Sequence, residues 1–299
     1  MNQITKDQHF ISRFVLKNFT DKNKKFPIIY KERGNIRYKS PKSVCFIDYL
    51  YETLNTDGTF YNINEIEKKF EKEEDLISKA ISTMITKLNK SQPLKTDDII
   101  VLAQAVALQL VRLPIVKNVL LGDFDKESVE GKIDAQTIFR SVLLSLDSGI
   151  GYRERNGYFL SKDDYDKISK RMNGKNMIEE KKNDIIANCF IYIARANQSE
   201  FCLSDNPVLI NKFDNIPYIY PFSPHYAIVC EIADDMKAML PNILREFKKE
   251  DVIRINRHSI SQTETYLIFR NEYKDNIIEE IRKVIEEGDT SWHISTNIT

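Results

Sequence analysis

The chain is poor in cysteine, and the few cysteines it has are far apart. Four occur in 299 residues without a C-x-x-C pair, which argues against a zinc ribbon or a thioredoxin-type site. Each cysteine has apolar neighbours, a pattern typical of buried free thiols in a reducing compartment. The four are Cys45, Cys189, Cys202 and Cys230.

An excess of charge of either sign is also missing. Lys and Arg total 44, as do Asp and Glu, so the formal net charge is zero. This balance excludes a globally basic nucleic-acid coat protein and an acidic tail protein, but it is compatible with a local basic groove. Hydrophobic residues at 42% and charged residues at 29% are typical of a globular protein with a core.

Long hydrophobic runs are absent as well. The longest apolar run, residues 99–111, is interrupted by Gln104 and Gln109 and is shorter than the roughly 20 residues that span a bilayer. The first ten residues lack the charged-then-apolar layout of a signal peptide. We therefore expect a cytoplasmic protein without a membrane partner.

Familiar catalytic signatures do not occur either. The P-loop, G-x-G-x-x-G, G-x-S-x-G, H-E-x-x-H and EF-hand patterns are all missing, which argues against most P-loop NTPases, Rossmann oxidoreductases, α/β-hydrolases and zincins. No dense cluster of His, Cys and Asp indicates a metal, so no metal ligand is predicted. The Asp/Glu/Lys pattern of restriction-type nucleases is too loose to be tested in this way.

Hydrophobic periodicity predicts a helical middle section. Residues 63–90 carry apolar side chains at three- and four-residue steps, with Lys and Glu between them. A core helix follows at about 96–113; Thr96 and two acids stand at its start, and it is apolar nearly all round. Further helices are predicted at 136–147, 162–197 and 273–287, and a polar loop at 122–135.

The two ends of the chain are predicted to contain β-structure. Residues 26–39 are typical of a hairpin, because Gly34 and Asn35 favour the positive φ of a tight turn. Residues 8–19 are expected to be mostly helical. The fold class is therefore α+β, with small β-containing N- and C-terminal parts, and one domain is predicted over 1–299 because no linker is evident. The C-terminal β-like segments are 200–210, 217–232, 252–256 and 266–269.

His9 is the first candidate for chemistry. It begins an apolar segment, and the ordinary pKa of a histidine, about 6.5, suits acid–base work at neutral pH. The alternative is a partly exposed histidine at a helix start that bonds only the local backbone.

Gln109 and Arg112 form the second candidate. They are three residues apart and therefore share a face of the most apolar helix. A buried arginine needs a carboxylate, several carbonyls or an anionic ligand, and its planar fork suits phosphate. The alternative is a structural ion pair at the end of the helix.

The turn Ser204-Asp205-Asn206-Pro207 is the third candidate. It lies between two β-like arms, and Pro207 disfavours a helical conformation at Asn206. Such a turn can present a carboxylate and an amide to a cleft. The alternative is an Asx turn that binds no ligand.

In this order, these segments resemble the bacterial DUF4238 family, a domain of unknown function. The resemblance covers roughly residues 8–270, and Ser12 stands where the family usually has proline. The motifs that carry it are Gln8-His9-Phe10-Ile11, the step from Gln109 to Arg112, Leu203-Ser204-Asp205-Asn206-Pro207-Val208, Pro221-Phe222-Ser223-Pro224, and Asn256.

The resemblance implies a role more than a reaction. Some members of this family resemble components of anti-phage defence islands. The polar groups that recur in the family pattern imply one shared cleft. Its predicted catalytic residues are His9, Arg112 and Asp205, and its predicted ligand-binding residues are Gln8, Gln109, Ser204, Asn206 and Asn256.

Three functions are left open at this point. In a nuclease or a nucleotide or phosphoester hydrolase, Arg112 would hold a phosphate, His9 would act as general acid or base, and Asp205 would orient His9 or hold a divalent metal such as Mg²⁺. In a non-enzymatic sensor, Arg112 and Asn206 would fix an anionic ligand or a phage trigger protein. In a purely structural role, these polar residues form a buried hydrogen-bond network that specifies the fold.

Overall fold

The computed structural model of the chain describes residues 4–122, 128–159, 161, 166, 176–233 and 244–294. Helices occupy mainly the middle of the sequence. Their bounds are α1 (Arg13–Asn18), α2 (Glu65–Leu88), α3 (Thr96–Arg112), α4 (Pro114–Gly122), α5 (Val129–Leu143), α6 (Leu146–Arg155), α7 (Met177–Asn188), α8 (Lys249–Gln262) and α9 (Lys274–Glu286).

Strands lie before and after this helical section. The N-terminal part contains β1 (Asp7–His9), β2 (Phe26–Tyr30), β3 (Ile36–Lys39), β4 (Phe46–Asp48), β5 (Thr53–Leu54) and β6 (Phe60–Tyr61). The C-terminal part contains β7 (Cys189–Ala196), β8 (Leu203–Ser204), β9 (Leu209–Phe213), β10 (Ile216–Pro221), β11 (Tyr226–Ile232), β12 (Arg245–Phe247) and β13 (Tyr266–Ile268). The fold is therefore α+β, as predicted.

The two ends of the chain are joined in one sheet. A four-stranded antiparallel sheet has the order β3-β2-β13-β8, so the N-terminal hairpin pairs with C-terminal strands. A five-stranded sheet of C-terminal strands has the order β12-β7-β11-β10-β9, in which only β12 and β7 run parallel. Two small ribbons, β1-β4 and β5-β6, complete the described strand pairings.

Helix α3 lies at the centre of the largest apolar cluster. Its Leu102, Ala103, Val106 and Ala107 are fully buried, and the helix packs against α2, α7 and β7. Burying one large apolar side chain contributes about 1.5–3 kcal/mol, so this layer is a major source of stability. The prediction of a central core helix is confirmed. No helix within the described ranges is both long and apolar enough to cross a membrane.

The hairpin prediction for residues 26–39 is also confirmed. Strands β2 and β3 pair in antiparallel register, with Ile28 opposite Arg37. Gly34 adopts a φ of 60°, a conformation that glycine tolerates without the steric cost of a Cβ atom. All four thiols are free, as predicted; three of them are also buried, whereas Cys189 is only half-buried, so the prediction of burial is wrong for that residue.

Several element predictions are wrong. Residues 8–19 do not form one helix, since β1 ends at His9 and α1 begins at Arg13. The polar loop at 122–135 is wrong at residue 122, where α4 ends, and from residue 129, where α5 begins; residues 123–127 lie outside the described residues. The β-like segment 252–256 belongs to α8 instead, because Val252, Ile255 and Ile260 are buried at helical spacing.

Among the described residues, the predicted helix at 162–197 is correct for residue 166 and for residues 177–188. It gives way to β7, whose side chains are buried on both faces. Ile191 and Ile193 belong to the largest apolar cluster, whereas Phe190 and Tyr192 belong to a second one. A strand buried on both faces gives a continuous apolar run, which periodicity alone does not distinguish from a buried helix. The single-domain prediction stays a prediction.

Candidate functional site

His9 lies on β1, a strand held between β4 and the end of α3. Its ring is 6% exposed and packs 5.7 Å from the ring of Phe46. Nε2 donates to the carbonyl oxygen of Pro41 at 3.1 Å, which assigns the proton of the neutral ring to Nε2 and leaves a lone pair on Nδ1. Burial lowers the pKa of His9, and the neighbouring Arg13 and Arg112 lower it further. The ring is therefore neutral near pH 7.

Arg112 fixes the strand that carries His9. At the end of α3 it is 2% exposed, and its guanidinium forms an ion pair with Glu74 of α2. It donates to the His9 carbonyl oxygen and, at 3.1 Å, to the hydroxyl of Ser12. The guanidinium also lies 5.0 Å from the ring centre of Phe70. The charge of Arg112 is thus already neutralised by the protein.

A cleft of about 230 Å³ opens beside these two residues. We call it the His9 cleft. Its lining is mixed in charge, with basic groups from the N-terminal part and from the end of α3, and carboxylates mainly from α2. The charged or titratable residues that line it are Asp7, His9, Arg13, Lys42, Glu67, Glu71, Glu74 and Arg112.

Glu67 is a buried acid in the lining of the His9 cleft. It is 7% exposed, and its Oε2 atom has no hydrogen-bond partner among the residues described. Burial raises the pKa of Glu67 to about 7, against the opposing attraction of Arg112 and with further repulsion from Glu71 and Glu52. A carboxyl group in this state is both a proton donor and a proton acceptor near neutral pH.

The sequence reasoning missed Glu67, although a signal was present. Glu67 and Glu74 flank Phe70 on α2 at three- and four-residue steps, so all three share one face of that helix. Phe70 belongs to the buried stripe, so acids beside it are drawn into the protein. Acidic side chains that border an apolar stripe could have been singled out for that reason.

The amides of Gln8 and Gln109 link the segment around His9 to neighbouring parts of the protein. The Gln8 amide donates to Glu52 and accepts from the backbone N–H of Tyr51, both at 2.6 Å. The Gln109 amide donates to the carbonyl of Phe10 at 2.9 Å and accepts from the hydroxyl of Tyr220 at 3.1 Å. Both amides are therefore engaged with the protein next to His9, and their predicted contact with a ligand stays a prediction.

Asp205 lies in a different cleft. Its carboxylate accepts the backbone N–H groups of Glu264 at 2.9 Å and Thr265 at 2.7 Å. Burial raises the pKa of Asp205, and these N–H bonds oppose that rise. Asp205 therefore does not orient His9, whose ring bond goes to Pro41. The expectation of a single shared cleft is corrected accordingly.

This second cleft, which we call the Asp205 cleft, has a volume of about 280 Å³. Ser204, at the end of β8, accepts the backbone N–H of Asn206 at 2.9 Å, and Gln262 donates to the Asn206 carbonyl. The turn is thus fixed by its own hydrogen bonds. The cleft is lined by Phe10, Phe46, Ile47, Leu113, Pro114, Ile115, Asp205, Asn206, Glu264, Thr265 and Tyr266.

Asn256 belongs to neither cleft. It is 1% exposed on α8, donates to the carbonyl of Glu200 at 2.8 Å and accepts the backbone N–H of Cys202 at 3.0 Å. Its amide thereby holds the chain that leads into β8 and the Asp205 turn. Within the described residues, no group of three or more His, Cys, Asp or Glu side chains is placed to hold a metal ion.

Comparison with known proteins returned one family. The family model described as "Protein of unknown function (DUF4238)" matches residues 7–273 of the 299-residue chain. No curated protein and no solved structure matches. The matched range runs from the first residue of β1 to the residue before α9, so it includes every lining residue of the Asp205 cleft and all of the His9 cleft except Thr5.

Proposed function

The chain belongs to the DUF4238 family, and on that premise we propose that it is a hydrolase of a small phosphoester, such as a nucleotide, that acts in anti-phage defence through the His9 cleft. The supporting observation is a pair of titratable groups in one cleft. Burial lowers the pKa of His9, so the ring is an available base at neutral pH. Burial raises the pKa of Glu67 to about 7, so half of these carboxyls are protonated there.

The two groups suit the two proton transfers of phosphoester hydrolysis, one at the attacking water and one at the leaving oxygen. His9 removes a proton from the attacking water at its Nδ1 lone pair. Glu67, in its protonated form, gives a proton to the oxygen that leaves phosphorus. General acid and base groups of this kind each contribute about 10²–10⁴ in rate.

In this proposal Arg13 and Lys42, rather than Arg112, bind the phosphate of the substrate. Both side chains are exposed at the His9 cleft, and neither forms an ion pair within the described part of the chain. Arg112 is committed to Glu74 and to the His9 carbonyl, so it acts as a positioning residue. This assignment revises the phosphate-binding role predicted for Arg112.

The size and charge of the cleft favour a small phosphoester over a nucleic-acid strand. Its volume of about 230 Å³ lies below the 300–1,000 Å³ usual for sites that enclose drug-sized ligands. Its four acids face only three cations, the side chains of Arg13, Lys42 and Arg112, so the cleft has no net positive charge to attract a nucleic-acid strand. The anti-phage setting is supported by the family resemblance.

The test is hydrolysis by purified protein of nucleoside mono-, di- and triphosphates, a small phosphodiester, and RNA and DNA oligonucleotides, with and without Mg²⁺. We expect turnover of one small substrate, reduced at least about 100-fold in His9→Gln and Glu67→Gln. The rate should rise with pH below 6.5 as His9 loses its proton and fall above about 7 as Glu67 loses its own. Glu67→Gln should lack the alkaline fall.

Asp75→Asn is the matched control, because Asp75 is an exposed acid of the same helix and lies outside the His9 cleft. It should retain activity, and cells that carry it should resist phage as the wild type does. His9→Gln and Glu67→Gln should lose protection at equal protein levels. Absence of turnover on every substrate, together with saturable nucleotide binding that His9→Gln weakens, would instead support the non-enzymatic sensor.

A further inference from the structure

The basic residues of the chain are unevenly distributed. Residues 13–42 contain ten Lys or Arg residues and two acids, whereas Lys and Arg equal Asp and Glu over the whole chain. The rest of the chain is therefore acidic by the same margin. A local excess of this size creates a positive potential at one part of the surface although the net charge is zero.

The fold brings six of these cations together at one end of the β2–β3 hairpin. Phe26 at the start of β2 pairs with Lys39 at the end of β3, and Ile28 pairs with Arg37. Since paired residues of an antiparallel sheet share a face, Arg37 and Lys39 project from one face of β3, the outermost strand of its sheet. We call the group the basic ridge; its members are Lys17, Lys22, Lys24, Lys25, Arg37 and Lys39.

The turn between α1 and β2 contributes three of the lysines. Two backbone hydrogen bonds close this turn: the Asp21 N–H donates to the Lys25 carbonyl at 2.7 Å, and the Lys24 N–H donates to the Asp21 carbonyl at 3.0 Å. Lys25 immediately precedes β2, so the turn lies beside the end of β3. Lys17 is near the end of α1, which packs against the 3₁₀ segment Pro41–Ser43 that follows β3. The ridge is therefore one continuous surface.

The basic ridge is accessible and lacks acidic partners. Five of its side chains are exposed and that of Lys39 is half-buried. None of the six forms an ion pair with a residue that the structure describes. Asp21, the acid of the turn, accepts the backbone N–H groups of Asn23 at 2.8 Å and Lys25 at 3.1 Å. Glu32 lies in the turn at the opposite end of the hairpin. Repulsion among the six like charges is relieved when a polyanion binds.

We propose that the basic ridge binds the phosphate backbone of a nucleic acid. A single phosphoester meets at most a few of these six cations, whereas the successive phosphates of a strand can each meet one of them. Every such contact releases a counterion from the strand, which favours binding. Lysine and arginine side chains that contact phosphates do not read the bases, so we expect binding without sequence preference.

An anionic membrane surface matches the basic ridge less well. Proteins that lie on membranes combine basic residues with apolar side chains that insert among the lipids. The exposed aromatic residue of this strand, Tyr38, lies on the opposite face of β3 from Arg37 and donates to Asn271. The ridge therefore offers charge without an apolar anchor.

The experiment is a fluorescence anisotropy titration of a labelled single-stranded RNA with the full chain, between about 50 and 200 mM NaCl. The RNA has about 20 nucleotides of mixed sequence, longer than a single binding site of this kind. We expect saturable binding, with a slope of about −2 or steeper for the logarithm of the association constant against the logarithm of the salt concentration. DNA of the same sequence and RNA of an unrelated sequence should bind with similar affinity. No binding at the lowest salt, or binding that salt does not weaken, would overturn the proposal.

The lysines of the turn provide the decisive variant. The combined change Lys22→Gln, Lys24→Gln and Lys25→Gln should weaken RNA binding by at least about tenfold and make the salt slope shallower by about 2. These side chains are exposed, so the variant should fold as the wild type does. Unchanged affinity in the folded variant would refute the assignment.

The matched control removes the same charge from another surface. It combines Lys68→Gln, Lys72→Gln and Lys79→Gln, three exposed lysines of α2 that form no ion pair within the described part of the chain. This variant should bind RNA nearly as the wild type does. Equal weakening in the two triple variants would show attraction by overall charge alone and would contradict a defined ridge.

The basic ridge is separate from the His9 cleft, because none of its six residues lines that cleft. His9→Gln should therefore bind RNA normally, and failure of the hydrolase proposal would leave this result unaffected. Sedimentation with vesicles of phosphatidylserine and phosphatidylcholine tests the membrane alternative. Binding to these vesicles without binding to RNA would overturn the proposal in favour of a membrane surface.

Discussion

Two buried arginines, Arg112 and Arg140, are arranged almost alike at different positions along α2. Their exposed fractions are 2% and 1%, and each guanidinium forms an ion pair with a glutamate of α2, Glu74 for Arg112 and Glu65 for Arg140. In both, the Nε atom has no hydrogen-bond partner in the part of the chain that the structure describes. Each therefore fastens another segment of the chain to the same long helix.

The similarity between the two arginines extends to the residues around each guanidinium group. Arg112 donates to Ser12 at 3.1 Å and lies over Phe70, whereas Arg140 donates to Ser148 at 3.0 Å. The guanidinium of Arg140 lies 4.7 Å from the ring centre of Tyr61. A planar cation that is paired, stacked and hydrogen-bonded is a stable structural unit without any ligand.

The two surroundings differ in their titratable groups. Beside Arg112, His9 and Glu67 line a cleft, and burial lowers the pKa of His9 and raises the pKa of Glu67 to about 7. Beside Arg140, the nearest described polar partner besides Glu65 and Ser148 is the hydroxyl of Thr53. A buried arginine alone is thus a poor guide to function, and the perturbed acid next to it is a better one.

The largest expected effect tests whether the two arginines are equivalent. Arg112→Ala and Arg140→Ala should each lower the free energy of unfolding by about 3–5 kcal/mol, since each substitution leaves a carboxylate without its buried partner. Urea titration monitored by circular dichroism measures both. A loss in Arg112→Ala far below that in Arg140→Ala would show that Arg112 is not a structural anchor and would return it to the role of ligand binder.

The second largest expected effect is a difference in stability between variants of the two acids, Glu67 beside Arg112 and Glu65 beside Arg140. The folded-state pKa of Glu67, about 7, lies above its ordinary value of 4.5, so its contribution to stability is present below pH 4.5 and is lost as pH rises through 7. Glu67→Gln should therefore be more stable than the wild type at pH 8, by about 2–3 kcal/mol, and equal to it near pH 4. Thermal unfolding at both pH values measures this difference.

Glu65→Gln provides the contrast. It weakens the ion pair with Arg140, so it should lower stability at pH 8 rather than raise it. A gain in stability for Glu65→Gln, or a loss for Glu67→Gln, would contradict the distinction between a structural and a functional acid.

The smallest effect concerns the two serines. Ser12→Ala and Ser148→Ala each remove a hydroxyl that accepts from a buried guanidinium, and each should cost about 1–2 kcal/mol. Ser12→Pro sharpens the comparison. The φ of Ser12 is −53°, which proline adopts, so backbone stiffening should offset part of the lost hydrogen bond. A Ser12→Pro chain less stable than Ser12→Ala would contradict this reasoning.

Sequence reasoning succeeded where structure is local. The stripe of α2, the apolar α3 and the turn at Gly34 are all specified by residues close together in the chain. Arg112 stood out for a physical reason: a charge in so apolar a helix must be paired. Glu74, the partner, could not be identified from spacing, because the ion pair joins two different helices.

The separation of the candidate site into two clefts was not predictable for the same reason. His9 and Asp205 both occur in motifs of the family resemblance, and nothing in their spacing indicates how β1 and the β8 turn lie relative to each other. Their relative position depends on hydrogen bonds between residues far apart in the chain, such as those from the backbone N–H groups of Glu264 and Thr265 to the Asp205 carboxylate. Arg140 was overlooked because its helix is less apolar than α3.

The sheet that joins the two ends of the chain has a consequence for biosynthesis. Ile28 of β2 pairs with Ile268 of β13, so a long stretch of chain lies between the two partners. Closing so long a loop is entropically costly, and contacts this distant in sequence form late. Residues 264–266, which fix Asp205, are synthesised about 60 residues after it. The Asp205 turn therefore leaves the ribosome before the backbone groups that fix it, and the Asp205 cleft stays incomplete until they follow.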